Sequence, residues 1–204
     1  MARIDDYVNA KKLAIEKLAS EPFEAISARS EFEAVGADAL RVPFLDRTYR
    51  VSYPEFDFVA EGEGDADVPL QEQVLILHYM IGTKGAVSGN WVAYREIPGA
   101  AFYFSAFVKR AIDPLKKIFG DDASRLGPVA EILGGAPIDA GDAAFEFKVL
   151  PKAPIQVILW EGDEEFPSEA NILFDDTIGD ILPPEDIAWL AGMLVYRLAA
   201  LLKR

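Results

Sequence analysis

The chain has 204 residues, half of them hydrophobic, so it can build a sizeable core without disulfide or metal staples. It contains no cysteine, which excludes a disulfide framework, a thiolate zinc site, a cysteine nucleophile and a cysteine-ligated iron–sulfur cluster. Its formal charge of -14 argues against nucleic acid or an anionic membrane as partner, because both need clustered Lys and Arg.

Residues Ile4 to Ser20 read as a helix, with Ile4, Tyr7, Val8, Ile15 and Leu18 near one face. No apolar signal core precedes it, so the expectation is a cytoplasmic protein. A short helical turn follows Pro22 and ends before Gly36. Residues 40–44 and 48–53 then form a predicted hairpin, in which Tyr49, Val51 and Tyr53 alternate with polar neighbours. Pro43 places the first of these strands at an edge or on a bulge. Phe56 to Val59 extend the sheet, and the run from Glu61 to Asp67 is an acidic loop.

Pro69 opens a strong helix carrying Leu70, Val74, Leu77 and Ile81 on one face, ended by Gly82 and Gly85. The stretch Gly82-Thr83-Lys84-Gly85 reads as a turn, since a phosphate loop precedes its helix and this one follows. Trp91 to Tyr94 form a short strand. A helix over roughly Phe102 to Phe119 is kinked or restarted at Pro114, and another runs to Leu133, where two glycines stop it. Residues 145–149 and 155–160 are the clearest strands, with 171–174 as an antiparallel neighbour of the second. A long apolar helix starts at Pro183-Pro184 and continues through Leu202; its apolar run is short for a membrane span and contains Arg197, which favours a core or subunit-interface helix. No repeat or long linker divides the chain. The reading is therefore a single α+β domain over 1–204, a mainly antiparallel sheet packed against several helices.

The familiar nucleotide, hydrolase and paired-histidine zinc motifs are absent from the sequence, and it contains one histidine. His78 lies on or beside the apolar stripe of its helix; it reads either as a core residue satisfied by a hydrogen bond or as an axial ligand to a haem or corrinoid metal. Asp163, Glu165 and Asp175 follow two probable strands and would share a divalent cation only if the strand ends converge. Antiparallel pairing would set them apart. Arg95 and Glu96 close a strand beside Trp91 and lead to Tyr103 and Arg110, a mixture that suits either a small-molecule pocket or an internal ion pair.

Three stretches carry a resemblance: Pro69 to Tyr79, Trp91 to Gly99, and Leu159-Trp160-Glu161-Gly162-Asp163-Glu164-Glu165-Phe166-Pro167 with Ile172 to Asp175. In that order they resemble domain-of-unknown-function family 3786, an uncharacterised family of anaerobic bacteria and archaea. Some relatives join this domain to an iron–sulfur module, which implies a place near corrinoid or one-carbon metabolism. The resemblance assigns no residue a role.

These readings lead to a non-catalytic small-molecule or cofactor-binding accessory protein, with Trp91, Arg95, Glu96, Tyr103, Trp160 and His78 at its site and a corrinoid or a divalent cation as candidate cofactor. The alternatives are a metal-dependent hydrolase or transferase using Asp163, Glu165 and Asp175, and a homodimeric interaction module joined through the C-terminal helix at Trp189, Met193 or Tyr196.

Overall fold

A computed structural model describes residues 4–62, 67–82 and 85–203. Thr83 and Lys84 of the glycine–lysine turn, and 63–66 of the acidic loop, lie outside the described residues. The expectation of one domain over 1–204 meets a chain that groups into two compact units, Met1–Gly85 with Asp180–Leu182, and Ala86–Gly179 with Pro183–Arg204. Each has its own antiparallel sheet, and the α+β class holds.

The first unit begins with α1 (Ile4–Leu18) and α2 (Phe23–Ser30). A four-stranded sheet follows in the order β1 (Glu33–Ala34), β2 (Ala39–Phe44), β3 (Arg47–Ser52), β4 (Phe58–Ala60). The hairpin turns at Leu45, whose φ of 55 supplies the left-handed residue a tight turn needs. Register pairs Val42 with Tyr49 and Phe44 with Arg47, so Leu40, Val42, Phe44, Tyr49 and Val51 are all buried. Pro43 is tolerated inside β2 because the two-residue β1 pairs only with Leu40 and Arg41, leaving Pro43 with an open edge.

Helix α3 (Leu70–Gly82) buries Val74, Leu75, Ile76, Leu77, Tyr79 and Met80, more than a single stripe, as befits the unit's central helix. Helix α1 packs on it yet buries only Ala14 and Leu18. Ile4 and Val8, expected on the buried face, are exposed. Helical spacing gives the direction of an apolar stripe, and the extent of its burial is set by the partner it meets.

One charged side chain is drawn into this core. Glu72, in the first turn of α3, accepts a 2.5 Å hydrogen bond from the Tyr49 hydroxyl and has Arg47 at 4.0 Å. Burial, reinforced by the bond to Glu72, pushes the Tyr49 phenol far above its ordinary pKa, so it stays a donor. Tyr49→Phe should lower stability by about 1.5–3 kcal/mol, the range for a hydrogen bond to a charged group. Urea unfolding would measure it; a change below a few tenths would show that Glu72 does not depend on this donor.

In the second unit, β5 (Trp91–Ala93) leads through 3-10 turns at Tyr94–Glu96 and Ala100–Tyr103 into α4 (Phe104–Phe107). A π-helical turn, Val108–Ile112, joins α4 to α5 (Asp113–Phe119). Pro114 accounts for it: proline has no N–H to donate, and its ring would strike the carbonyl of Arg110 one turn earlier. Widening the turn separates the two groups, and α5 restarts with Pro114 in its first turn. Of the two expected outcomes, kink or restart, the chain takes the restart.

Helix α6 (Leu126–Ile132) ends where Gly134 turns left-handed at φ 70, as the paired glycines led one to expect. The sheet that follows contains β6 (Ala136–Pro137), β7 (Ala143–Leu150), β8 (Ala153–Trp160) and β9 (Glu169–Asp175), ordered β5-β9-β8-β7-β6. A short α7 (Ile178–Ile181) precedes α8 (Pro184–Leu201). Half of α8's residues are buried, among them Ile187, Leu190, Leu194, Val195 and Leu198, and Gly192 lets the π turn approach closely. Among the described residues no helix is long and apolar enough to cross a membrane.

Candidate functional site

The antiparallel register of β8 and β9 decides which sequence candidates meet. Trp160 pairs with Glu169 at one end, and Ile155 pairs with Phe174 at the other. Asp175 therefore lies about 20 Å along the sheet from the loop that carries Asp163 and Glu165, at about 3.4 Å per residue. The three carboxylates do not gather around one ion, and among the described residues no group of three acidic or histidine side chains is placed to hold a metal.

Asp163 and Asp175 have local work instead. Asp163 accepts hydrogen bonds from the backbone N–H groups of Phe166 and Glu165, both at 2.8 Å, which hold its carboxyl below the ordinary range. Asp175 is fully buried and accepts from the N–H groups of Ser88, Gly89 and Thr177 and from the hydroxyls of Thr177 and Ser88. Its lone pairs are committed to fastening the 88–90 segment to the end of β9.

The expected single wall is divided in the same way. Trp91 pairs with Asp175, so it sits at the sheet end opposite Trp160, two strands away. His78 is half-buried on α3, in the first unit. Arg95, Glu96 and Tyr103 do fall in one neighbourhood, continuous in sequence with Trp91. Glu96 reaches back to accept from the N–H of Ala93 at 2.7 Å, so it caps its own turn. The Arg95 guanidinium lies 3.7 Å from the centroid of the Phe104 ring. Beside Tyr103, Phe102 is 86% exposed.

Beneath this surface Tyr94 stacks on Phe107 with centroids 4.3 Å apart, and Phe174 meets both rings edge-on at 6.1 Å. The Tyr94 hydroxyl donates to the carbonyl of Pro184 at the start of α8. Burial first, then the nearby Tyr103 and Glu185, push its pKa up to about 12 against the opposing pull of Arg110. Tyr94 is consequently protonated at neutral pH and is a donor, never a base.

Arg110 is the unusual member. It stands on the π turn, its backbone carbonyl and Cβ pressed against Gly192 of α8. Its guanidinium carbon lies 4.3 Å from the centroid of the Trp189 ring, a cation–π pairing. The Nη1 atom is buried and has no hydrogen-bond partner among the described residues. A buried donor without an acceptor costs about 1–3 kcal/mol, more when charged. Single π turns inside α-helices recur at functional sites. Together these features mark Arg110 and Trp189 as the centre of the candidate site; Phe102 and Tyr103 lie on the 3-10 segment that also packs on α8, and Arg95 on the turn beside it, and the five are called the corner below.

Arg110 stood in the sequence as a nearby positive charge, but its pairing with Trp189 was not legible there, because 79 positions separate them. Of the residues expected at a subunit interface on the C-terminal helix, Trp189 is half-buried under Arg110 and Tyr196 is exposed. At the sheet end occupied by the β7–β8 partners, Ala123, Ser124, Gly127 and the 137–145 segment line a separate open cleft of about 390 Å³ with Asp139 and Asp142 on its wall. Asp142 accepts from the N–H of Glu161, and the Glu161 carboxylate accepts from the N–H of Ala123, so these acids brace the cleft's rim.

Two antiparallel sheets with their helices, and a cluster of cationic and aromatic side chains in the second unit, define an α+β protein. Residues 22–197 match the family described as Domain of unknown function (DUF3786), and the chain belongs to that family. No curated protein and no solved structure matches it.

Proposed function

We propose that this chain is a non-catalytic binding protein whose small-molecule ligand is held at the corner built from Arg95, Phe102, Tyr103, Arg110 and Trp189. The observation that carries the reading is Arg110, a guanidinium set over an indole by a π turn with a buried donor left over. The chemistry of the corner supports binding over catalysis. Its charged groups are two arginines, which stay charged; beneath it Tyr94, pushed up to about 12, stays protonated, and Glu96 caps its own turn. The anaerobic setting, and within it an accessory role near corrinoid or one-carbon metabolism, comes from the family resemblance alone.

Native mass spectrometry of protein isolated anaerobically from its own host tests this. The expected result is a bound mass in the wild type that is lost in the double variant Arg95→Ala/Arg110→Gln. A bound mass that survives in that variant would place the ligand elsewhere on the molecule and remove the assignment. A clean apo mass in both, with no ligand captured from small-molecule extract of the host, would count against small-molecule binding altogether.

A further inference from the structure

Resting on that binding reading, we infer that Arg110 is the recognition point for an oxyanion, so that the ligand carries a carboxylate or phosphate group. A guanidinium presents five N–H donors in a planar fork matched to two oxygens of such a group. In folded proteins a half-buried arginine normally spends these donors on carboxylates or carbonyls. Here the chain has 34 acidic residues against 20 basic ones, so carboxylates are plentiful, yet Nη1 meets none. Glu96, the acid next to Arg95 in the chain, caps its own turn.

The setting also holds the fork in a defined orientation. The Trp189 ring supports one flat side of the guanidinium at 4.3 Å, and Gly192 fixes the backbone of Arg110 against α8, since a Cβ there would stand 3.3 Å from both the Cβ and the carbonyl oxygen of Arg110. Stacking of this kind leaves the in-plane N–H groups directed outward, the arrangement that suits bidentate recognition. Arg110 as a whole is only half-buried, so an anion can approach the guanidinium from its solvent side. Tyr94, protonated at neutral pH, adds no competing negative charge.

Trp189 itself supplies the readout, because a ligand on the guanidinium changes the electric field at the indole. The experiment uses the Trp91→Phe/Trp160→Phe background, in which Trp189 is the sole tryptophan, and titrates inorganic phosphate and acetate separately at constant ionic strength. A saturable change in Trp189 emission with either anion is expected, phosphate alone pointing to a phosphorylated ligand and acetate alone to a carboxylate. Arg110→Gln should abolish the response, and Arg110→Lys, which keeps the charge but lacks the fork, should weaken it on the order of tenfold. Far-ultraviolet circular dichroism confirms that each variant is folded.

A linear response that is the same in wild type and Arg110→Gln would overturn the oxyanion inference. If host-purified protein then still carries a mass that Arg110→Gln loses, the ligand is neutral or cationic and the binding reading stands. With neither an anion response nor a retained mass, both fall.

Discussion

Phe174→Ala is expected to lower the stability of the protein by about 3–5 kcal/mol, the upper part of the range for emptying a core site. Phe174 is fully buried on β9 and touches both Tyr94 and Phe107 with its ring edge. Those two rings are stacked nearly parallel, and through Tyr94 they tie the 3-10 turn to the first residue of α8. Removing the phenyl leaves a void that two aromatic planes cannot close without giving up their own contact. The loss should therefore appear twice, as a lower midpoint in urea unfolding and as a changed near-ultraviolet circular dichroism signal from the tyrosines. Phe174→Leu, which keeps most of the volume, should recover more than half of the loss. An unfolding midpoint within experimental error of wild type for Phe174→Ala would show that the aromatic cluster does not support the corner.

Asp175→Ala should cost about 3 kcal/mol or more, because three backbone N–H groups and the Thr177 hydroxyl lose their acceptor, and each buried donor left unpaired costs about 1–3 kcal/mol. Asp175→Asn keeps one acceptor oxygen and should lose less. The pH dependence has a definite sign. Burial alone would raise the carboxyl's pKa, but the hydrogen bonds from Thr177, Ser88 and Gly89 outweigh it and hold it below the ordinary value. A carboxyl depressed in the folded state contributes stability that is present above its unfolded pKa, about 3.9. That contribution is lost as pH falls through the folded pKa. The stability difference between wild type and Asp175→Asn should accordingly be constant from pH 7 to about 5 and shrink in stronger acid. A difference that persists undiminished at pH 2 would show that the charge of Asp175 is not what the donors hold. Adding Mg²⁺ or EDTA should leave the wild-type melting temperature unchanged, since the oxygens of Asp175 already have donors; a metal-dependent rise would restore the cation reading.

Much of the local structure was legible from spacing. The hairpin at 40–53 follows from period-two alternation, and its observed strands, Ala39–Phe44 and Arg47–Ser52, differ only at the edges. The stop at Gly134, the antiparallel pairing of β8 with β9, and the apolar helix after Pro183 were equally readable. Local geometry decides these features, through proline and glycine dihedrals and through the two side-chain periods. Pro114 could be read as an interruption, but its resolution into a π turn depends on how the carbonyl of Arg110 is accommodated against Gly192.

The candidate site was only partly legible. Arg95, Glu96 and Tyr103 lie close in sequence, and the structure keeps them together. Trp160, expected beside them, is sent by register to the far end of the sheet, and His78 lies on α3 of the first unit. Trp189 lies on a helix that is apolar nearly all round, a pattern that says a side chain is covered without saying by what.

The amino-acid sequence by itself determined the α+β class, the order of the main elements, the absence of thiol chemistry and the family, because each depends on composition or on contacts within a few turns. Only the tertiary structure decided that the acids stand apart and that Arg110 meets Trp189. Strand register and helix packing join positions far apart in the chain, and they are set by the burial of whole faces, which no local spacing encodes.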